Sequence, residues 1–361
     1  MSSSKGDPRT WHAWSRWKDS NLLGVYLKEF TKACKKASHV SFLDCFAGTA
    51  TSQDHQGDTF TSSPRIALQT NPEFTDLVFF ELPENAIELE SALRIEYPSR
   101  SFTVLGGDCN ATIRDGLSWL RDRGTRISGP QLGPAIAFLD PDEVQLAWST
   151  VEAIARWDGR RDAGDFVRKG KTEQLILFPT GPLRRRLPVQ AGSHEASEKI
   201  RAEVDDLFGN SDWRSIYDAQ RAGRVSGEDS WMHYVEQYRL GLTQLGYDYT
   251  SAIEVRNTRN VVLYHMIFAT NHFAGRKIMK AVLNRAKSEL PAMVKEEKIS
   301  RMPRKDAGQT LFDAEPDGAP DDLPTDWALV VDTPPQAFDP SRFPAIQKQE
   351  ARETEVQDTL F

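Results

Sequence analysis

Four acidic residues stand at the ends of four short apolar runs. They are Asp44 in Phe42-Leu43-Asp44-Cys45-Phe46-Ala47-Gly48, Glu81 after Phe79-Phe80, Asp108 in Gly106-Gly107-Asp108-Cys109-Asn110, and Asp140 in Phe138-Leu139-Asp140-Pro141. Apolar runs of this length are typical of parallel strands covered on both faces. In open α/β sheets ligands lie outside the carboxyl ends of the strands. Each acid can therefore accept hydrogen bonds from a different part of a nucleoside-like cofactor. Asp44 can receive an ammonium group, directly or through water. Phe46 and Gly48 follow in a turn where the missing Cβ of glycine lets the backbone approach a ligand. Glu81 can accept both ribose hydroxyls, and Asp108, with Cys109 beside it, an adenine amino group. Asp140 and Pro141 present a carboxylate and carbonyls that can hold an amine, because proline ends the strand by removing a donor.

Each acid also has an ordinary explanation. Asp44 fits a solvated strand exit, Glu81 a cap near Pro83, Asp108 an N-cap, and Asp140-Pro141 a turn opener. Four such ends in succession favour one shared pocket. The stretch from Asp44 to Glu81 is longer than the usual interval after a glycine turn, and a polar loop, Gln53 to Ser63, fills the excess. After the fifth apolar run come Arg184, Arg185 and Arg186, a cationic group suited to phosphates and a candidate substrate-binding site. The aromatic residues Trp213, Tyr217, Trp231, Tyr234 and Tyr238 can stack bases, but the last three recur at helical spacing and read better as a core-facing stripe. The histidines show no metal-ligand spacing, so no metal is expected. No Ser-His-Asp or Cys-His set stands out.

The elements that must position these residues alternate along the chain. A helix fits residues 18–37. Strands are expected at 40–46, 77–81, 102–105, 135–139 and 175–178, with helices at 83–96, after 105 to about 121, and about 149–157. Runs at 249–255 and 261–270, separated by Arg256-Asn257-Thr258-Arg259-Asn260, predict an antiparallel hairpin, followed by a helix over about 273–290. The alternation predicts an α/β fold of the class I methyltransferase type: a Rossmann-like, seven-stranded, mostly parallel sheet with a terminal antiparallel hairpin. Residues 182–247 form a helical insertion between strands five and six, with candidate helices at 194–208 and 229–245.

Composition sets the limits. The 361 residues carry a net charge of −7, but residues 291–361 hold 15 acids, 8 bases and nine prolines, leaving the first 290 with 37 of each sign. Residues 1–17 read as an extension, 18–290 as one domain, and 291–361 as an acidic, proline-rich tail expected to be disordered. The neutral body leaves a nucleic-acid substrate open. No apolar run is long enough for a membrane span. Residues 1–10 lack a signal peptide's apolar core, and Cys34, Cys45 and Cys109 fit reduced thiols, so a cytoplasmic location is expected.

The sequence resembles the three-Cys-motif partner protein (TcmP) family. The resemblance is carried by residues 18–36, FLDCFAGTATS from Phe42, SSPRIAL from Ser62, VFFELPENAIELESAL from Val78 and GGDCN from Gly106. FLDPDEVQLAWSTVEAIA from Phe138, LILFPTG from Leu175 and LYHMIFATNHFAGRKIMKAVL from Leu263 complete it. Together these cover roughly residues 14–290, in order. The resemblance implies a methyltransferase-like Rossmann fold and, as genomic and physical partner, a three-Cys-motif, radical-SAM-like protein; the set Asp44, Glu81, Asp108 and Asp140 makes S-adenosylmethionine the expected cofactor. The sequence departs from the family pattern at two places: Ala50 stands where the family has a second glycine, and Asp142-Glu143 where it has Tyr-Gly. The expected function is an S-adenosylmethionine-dependent methyltransferase with nucleic acid as a candidate acceptor. The alternative is a methyltransferase-like scaffold without transferase activity. The ending Gln357-Asp358-Thr359-Leu360-Phe361 resembles peptides that dock into the bacterial sliding clamp, a contact that Gln357, Leu360 and Phe361 would make.

Overall fold

The computed structural model describes residues 10–11, 18–49, 52–54, 59–128, 133–157, 171–189, 194–257, 261–300 and 330–343. Ala50, most of the tail and the segment with Gln357, Leu360 and Phe361 lie outside them. The first helical segment opens as a π-helical turn, Lys18–Gly24, and continues as α1, Val25–Ala33. Strands β1 (Ser41–Asp44), β2 (Asp76–Glu81), β3 (Phe102–Gly106), β4 (Ala135–Leu139) and β5 (Glu173–Phe178) follow. Between them run α2 (Ser63–Gln69), α3 (Pro83–Glu96), α4 (Cys109–Ser128) and α5 (Trp148–Arg156). The insertion comprises α6 (Thr180–Arg186), α7 (Glu198–Phe208), α8 (Arg214–Arg221) and α9 (Gly227–Gln244). Strands β6 (Tyr249–Arg256) and β7 (Val262–Thr270), helix α10 (Phe273–Ser300) and β8 (Val330–Val331) complete the chain.

The main sheet has eight strands in the order β8-β6-β7-β5-β4-β1-β2-β3. Strands β1 to β5 pair in parallel, and β5-β7, β7-β6 and β6-β8 pair antiparallel. The fold is thus mixed α/β and mostly parallel with antiparallel C-terminal strands. The expected seven strands become eight, because Val330 and Val331 from the tail pair with Ile253 and Ala252. A two-residue strand in an acidic, proline-rich segment is too short for composition to reveal. The helix after β7 passes Pro291 to Ser300, ten residues beyond the boundary that composition suggests. Leu290 and Met293 stay buried there, so packing carries the helix through the proline.

The strand pleat alternates side chains between two cores. Phe42, Phe79, Ile136, Phe138, Leu175 and Leu177 pack with α1, α3 and α10 on one face. Leu43, Val78, Phe80, Ala137, Leu139, Ile176 and Phe178 pack with α4, α5 and the insertion on the other. Trp213, Tyr217, Trp231, Tyr234 and Tyr238 are buried in that second core and are not available to stack bases. The expected polar loop, Gln53 to Ser63, holds parts of a small sheet in which Thr10–Trp11 pairs with Gln53 and Asp54, and it ends where helix α2 starts at Ser63. Residues 330–343 also cross the insertion. Arg239 donates to Thr333 O at 2.5 Å, Gln336 N donates to Glu236 Oε2 at 3.2 Å, and His233 packs on Phe338 and Phe343.

Candidate cofactor crevice and adjoining cavity

The chain runs from β1 outward to β2 and β3, then returns to β4 on the other side, so strand order reverses between β1 and β4. That reversal leaves a gap at the carboxyl rim. The turn after β1 is pinned across it: Cys45 N donates to Phe138 O at 2.9 Å and Ala47 N to Phe80 O at 2.9 Å. Gly48 follows with φ +75°, a left-handed conformation that favours glycine, and a Cβ there would meet nothing within 4 Å. Its N–H donates to Glu81 Oε2 at 2.7 Å, while Asn85 Nδ2 donates to Glu81 Oε1 at 3.0 Å. Asp108 caps α4: its Oδ1 accepts from Asn110 N at 2.9 Å and its carbonyl from Ala111 and Thr112 N–H groups.

These segments enclose a crevice of about 270 Å³ lined by Phe46, Gly48, Glu81, Asp108, Cys109 and Asp140, among others. Six of the eight residues proposed for cofactor binding or catalysis therefore share one space. Asp44 and Pro141 do not line it. Asp44 shares strand parity with Phe42 and so points to the opposite face from Cys45, where it is fully buried. Pro141 lines a second cavity, of about 620 Å³, with Lys18, Arg184, Arg185 and Tyr264. The two cavities share Asp140 and Asp142. Arg186 is absent from both. Successive helical residues are separated by about 100°, so three arginines in one turn cannot face one ligand. Arg186 instead pairs with Glu203, and Arg185 with Glu143 at 2.8 Å.

Several contributors are not evident from local sequence. Leu82, 47% exposed, sits on the crevice wall beside Glu81, an apolar surface suited to a flat ring. Asn110 fastens the loop after β4 to α4, donating to Gln145 O at 2.8 Å and accepting from Ala147 N and Thr150 Oγ1. Lys18 is buried and forms an ion pair with Asp140, with Asp19 Oδ1 3.6 Å away. Burial alone would lower the Lys18 pKa, but Asp140 and Asp19 outweigh it and hold the group above its ordinary value.

The acids around Lys18 outnumber it. Burial pushes Asp44 up to about 7; Ser63 and the Phe46 N–H moderate the rise, and the charges of Asp140 and Asp19 add to it. Burial likewise raises Asp19 to about 7, with Lys18 opposing and Asp140 adding. Burial raises Asp140 as well, against Lys18. Asp44 Oδ2 and Asp19 Oδ1 are both buried without a hydrogen-bond partner. Lys18 faces Asp140 and Asp19, and Asp44 feels both of those acids without a cation of its own, a local deficit of positive charge that a cationic ligand group would relieve. Among the described residues no group of three or more side chains suits a metal ion, and no helix is long and apolar enough to cross a membrane.

No family model matches this chain, and no curated protein matches it. Among solved structures it is similar to protein LPL1258 from Legionella pneumophila str. Philadelphia 1, described with the family model DUF519. The identity is 9% and the TM-score 0.43, covering 75% of this chain and 92% of that one. At that score the likeness carries no argument, and the fold class rests on the sheet itself.

Proposed function

We propose that the protein is an S-adenosylmethionine-dependent methyltransferase of the class I, Rossmann-like type, acting with a three-Cys-motif partner protein. The observation that carries the reading is the junction at Asp140. A crevice with a ribose-type acid, Glu81, and an adenine-type acid, Asp108, meets a larger cavity with cationic walls at this one carboxylate. Five parallel strands followed by an antiparallel hairpin agree with it.

The donor set fits the cofactor. Glu81 accepts from the ribose hydroxyls, Asp108 from the adenine amino group, and Leu82 covers the ring. Asp44 and Asp19 line neither cavity and would act on the cofactor's cationic end only as buried negative charge behind the wall at Asp140. When bound, S-adenosylmethionine supplies an electrophilic methyl group. Asp140 Oδ2 engages Lys18 and leaves Oδ1 to accept from an acceptor amine, which orients that amine in the shared wall. Arg184 and Arg185 on the second cavity suit an anionic acceptor such as nucleic acid. Titration of the protein with S-adenosylmethionine by calorimetry tests the reading: binding in the micromolar range supports it, and no heat at millimolar cofactor removes it.

A second reading is a scaffold that has lost transfer. Glu143, one of the residues that depart from the family pattern, pairs with Arg185 and lies 3.7 Å from Arg186. Two of the three candidate phosphate-binding cations are thus neutralised within the chain. Labelled methyl incorporation that disappears in Asp140→Ala would exclude the scaffold.

A further inference from the structure

We propose that a cavity at the amino rim of the sheet is a second ligand site, which takes a small apolar molecule carrying one primary ammonium group, held by the Glu173 carboxylate. The cavity has a volume of about 260 Å³ and lies between α1, α10 and the start of β5. It is at the opposite end of the strands from the crevice at Glu81 and Asp108, so it does not rest on the cofactor reading. Phe30, Cys34 and Ala37 supply one wall, Ile278 the facing wall, and Pro134 and Glu173 the side of the sheet. Lys36 and His272, both exposed, stand at its mouth.

Glu173 is the first residue of β5 and is only 2% exposed. Strand parity puts it on the face of Leu175 and Leu177, toward α1 and α10. Its Oε2 accepts from the Tyr26 hydroxyl, and its Oε1 from Thr270 Oγ1 at 2.7 Å. Both donors are neutral, and among the described residues no cation pairs with this carboxylate. The group stands at the cavity wall: a Cβ on Gly275, which lines the cavity, would collide with Oε1, so glycine lets the first turn of α10 close over it. Burial pushes Glu173 up to about 7, with Tyr26 and Thr270 moderating the rise.

These features select a ligand class. A buried ionised carboxylate is costly unless a cation pairs with it. A carboxylate offers about four lone-pair sites, and only two are used here, so both oxygens can accept again. A primary ammonium brings the missing charge and three donors on one compact atom. The apolar walls then take an apolar body. An apolar cavity of about 150 Å³ holds benzene, so this one has room for a single ring and a methylene carrying the amine.

The test is calorimetry of the full-length protein with benzylamine, and with benzyl alcohol as its neutral counterpart. Benzylamine should bind to one site, with the alcohol at least about tenfold weaker. Glu173→Gln should erase that preference, because the amide keeps an acceptor but not the charge. Ala37→Phe should fill the cavity and abolish binding of both. The titratable and charged groups around Glu173 are Tyr26, Cys34, Lys36, Tyr247 and His272. Benzylamine affinity should rise about tenfold from pH 6 to pH 8 as Glu173 ionises, and a rise that survives in Glu173→Gln overturns the assignment to this residue. Hydrogen exchange of the native protein locates the site even where a variant fails to fold. Benzylamine should protect the peptides holding Phe30 to Ala37 and His272 to Ile278. Protection at the β1 turn and α4 instead, equal affinities for amine and alcohol, or no heat at millimolar benzylamine overturns the site.

Discussion

Lys18 in the first helical turn and Asp140 at the end of β4 form a buried ion pair across 122 residues of chain. The pair holds the N-terminal segment against the carboxyl rim of the sheet and sets the charge of the wall between the two cavities. Removing one partner of a buried pair leaves the other uncompensated. Asp140→Ala leaves Lys18 to the more distant Asp19, at 3.6 Å. The expected loss is about 3 kcal/mol in urea unfolding. Asp140→Asn, which keeps an acceptor, should lose less.

The buried acids fix the direction of the pH dependence. Asp44 and Asp19 rise from 3.8 to about 7, and Glu173 rises from 4.5 to about 7 through burial, moderated by Tyr26 and Thr270. The folded protein then holds protons that the unfolded chain releases. Stability from these groups is complete below about pH 4 and is lost as pH rises through about 7. The ligand-free protein should therefore unfold at lower urea at pH 8 than at pH 5.5. Asp44→Asn should narrow that gap and be more stable than the native chain at pH 8, by a few kcal/mol at most. Equal midpoints for the native chain at the two pH values would count against the charge surplus.

Cofactor affinity should follow the opposite course. A cationic ligand favours ionised Asp44 and Asp19, so binding strengthens from pH 6 to pH 8 and releases protons. Calorimetry in two buffers of different ionisation enthalpy measures the release. Asp44→Asn should reduce it while weakening binding.

Glu81 is the residue whose truncation should cost most in the crevice. Glu81→Ala removes the acceptor for Gly48 N and for the ribose hydroxyls. Charged hydrogen bonds are worth about 1.5–3 kcal/mol, so S-adenosylmethionine affinity should fall roughly ten- to a hundredfold. Thermal unfolding should move little by comparison.

If the acceptor is nucleic acid, Arg184→Glu and Arg185→Glu should weaken binding and flatten its salt dependence. For a single strand, the slope of log K against log salt should fall by about 0.7 for each phosphate that is no longer neutralised. Because Arg185 also holds Glu143, Glu143→Gln should strengthen binding in the same assay.

Much of this fold is written in short-range pattern. The runs around Phe42, Phe79, Phe138 and Ile176 announce buried strands, and the turn after Arg256 announces the hairpin. Glu81, Asp108 and Asp140 are legible as neighbours in space because each ends a parallel strand. Asp44 does not join them, and strand parity already assigns it to the Phe42 side. Arg186 parts from Arg184 and Arg185 because consecutive helical residues diverge. Lys18 carries no local signal at all: its meaning depends on Asp140, which tertiary packing alone supplies. Val330 and Val331 are hidden in the composition of their surroundings.

Strand β8 covers only two positions of β6, yet β6 is eight residues long and carries Tyr249, Thr250, Ile253 and Val255, side chains that favour strands. Exposed edges of that kind recruit strands from other chains. A protein shortened before Val330 would keep its carboxyl-rim crevice but present β6 as a template. It should therefore lose solubility before it loses ligand binding, which centrifugation and light scattering of the shortened protein would measure.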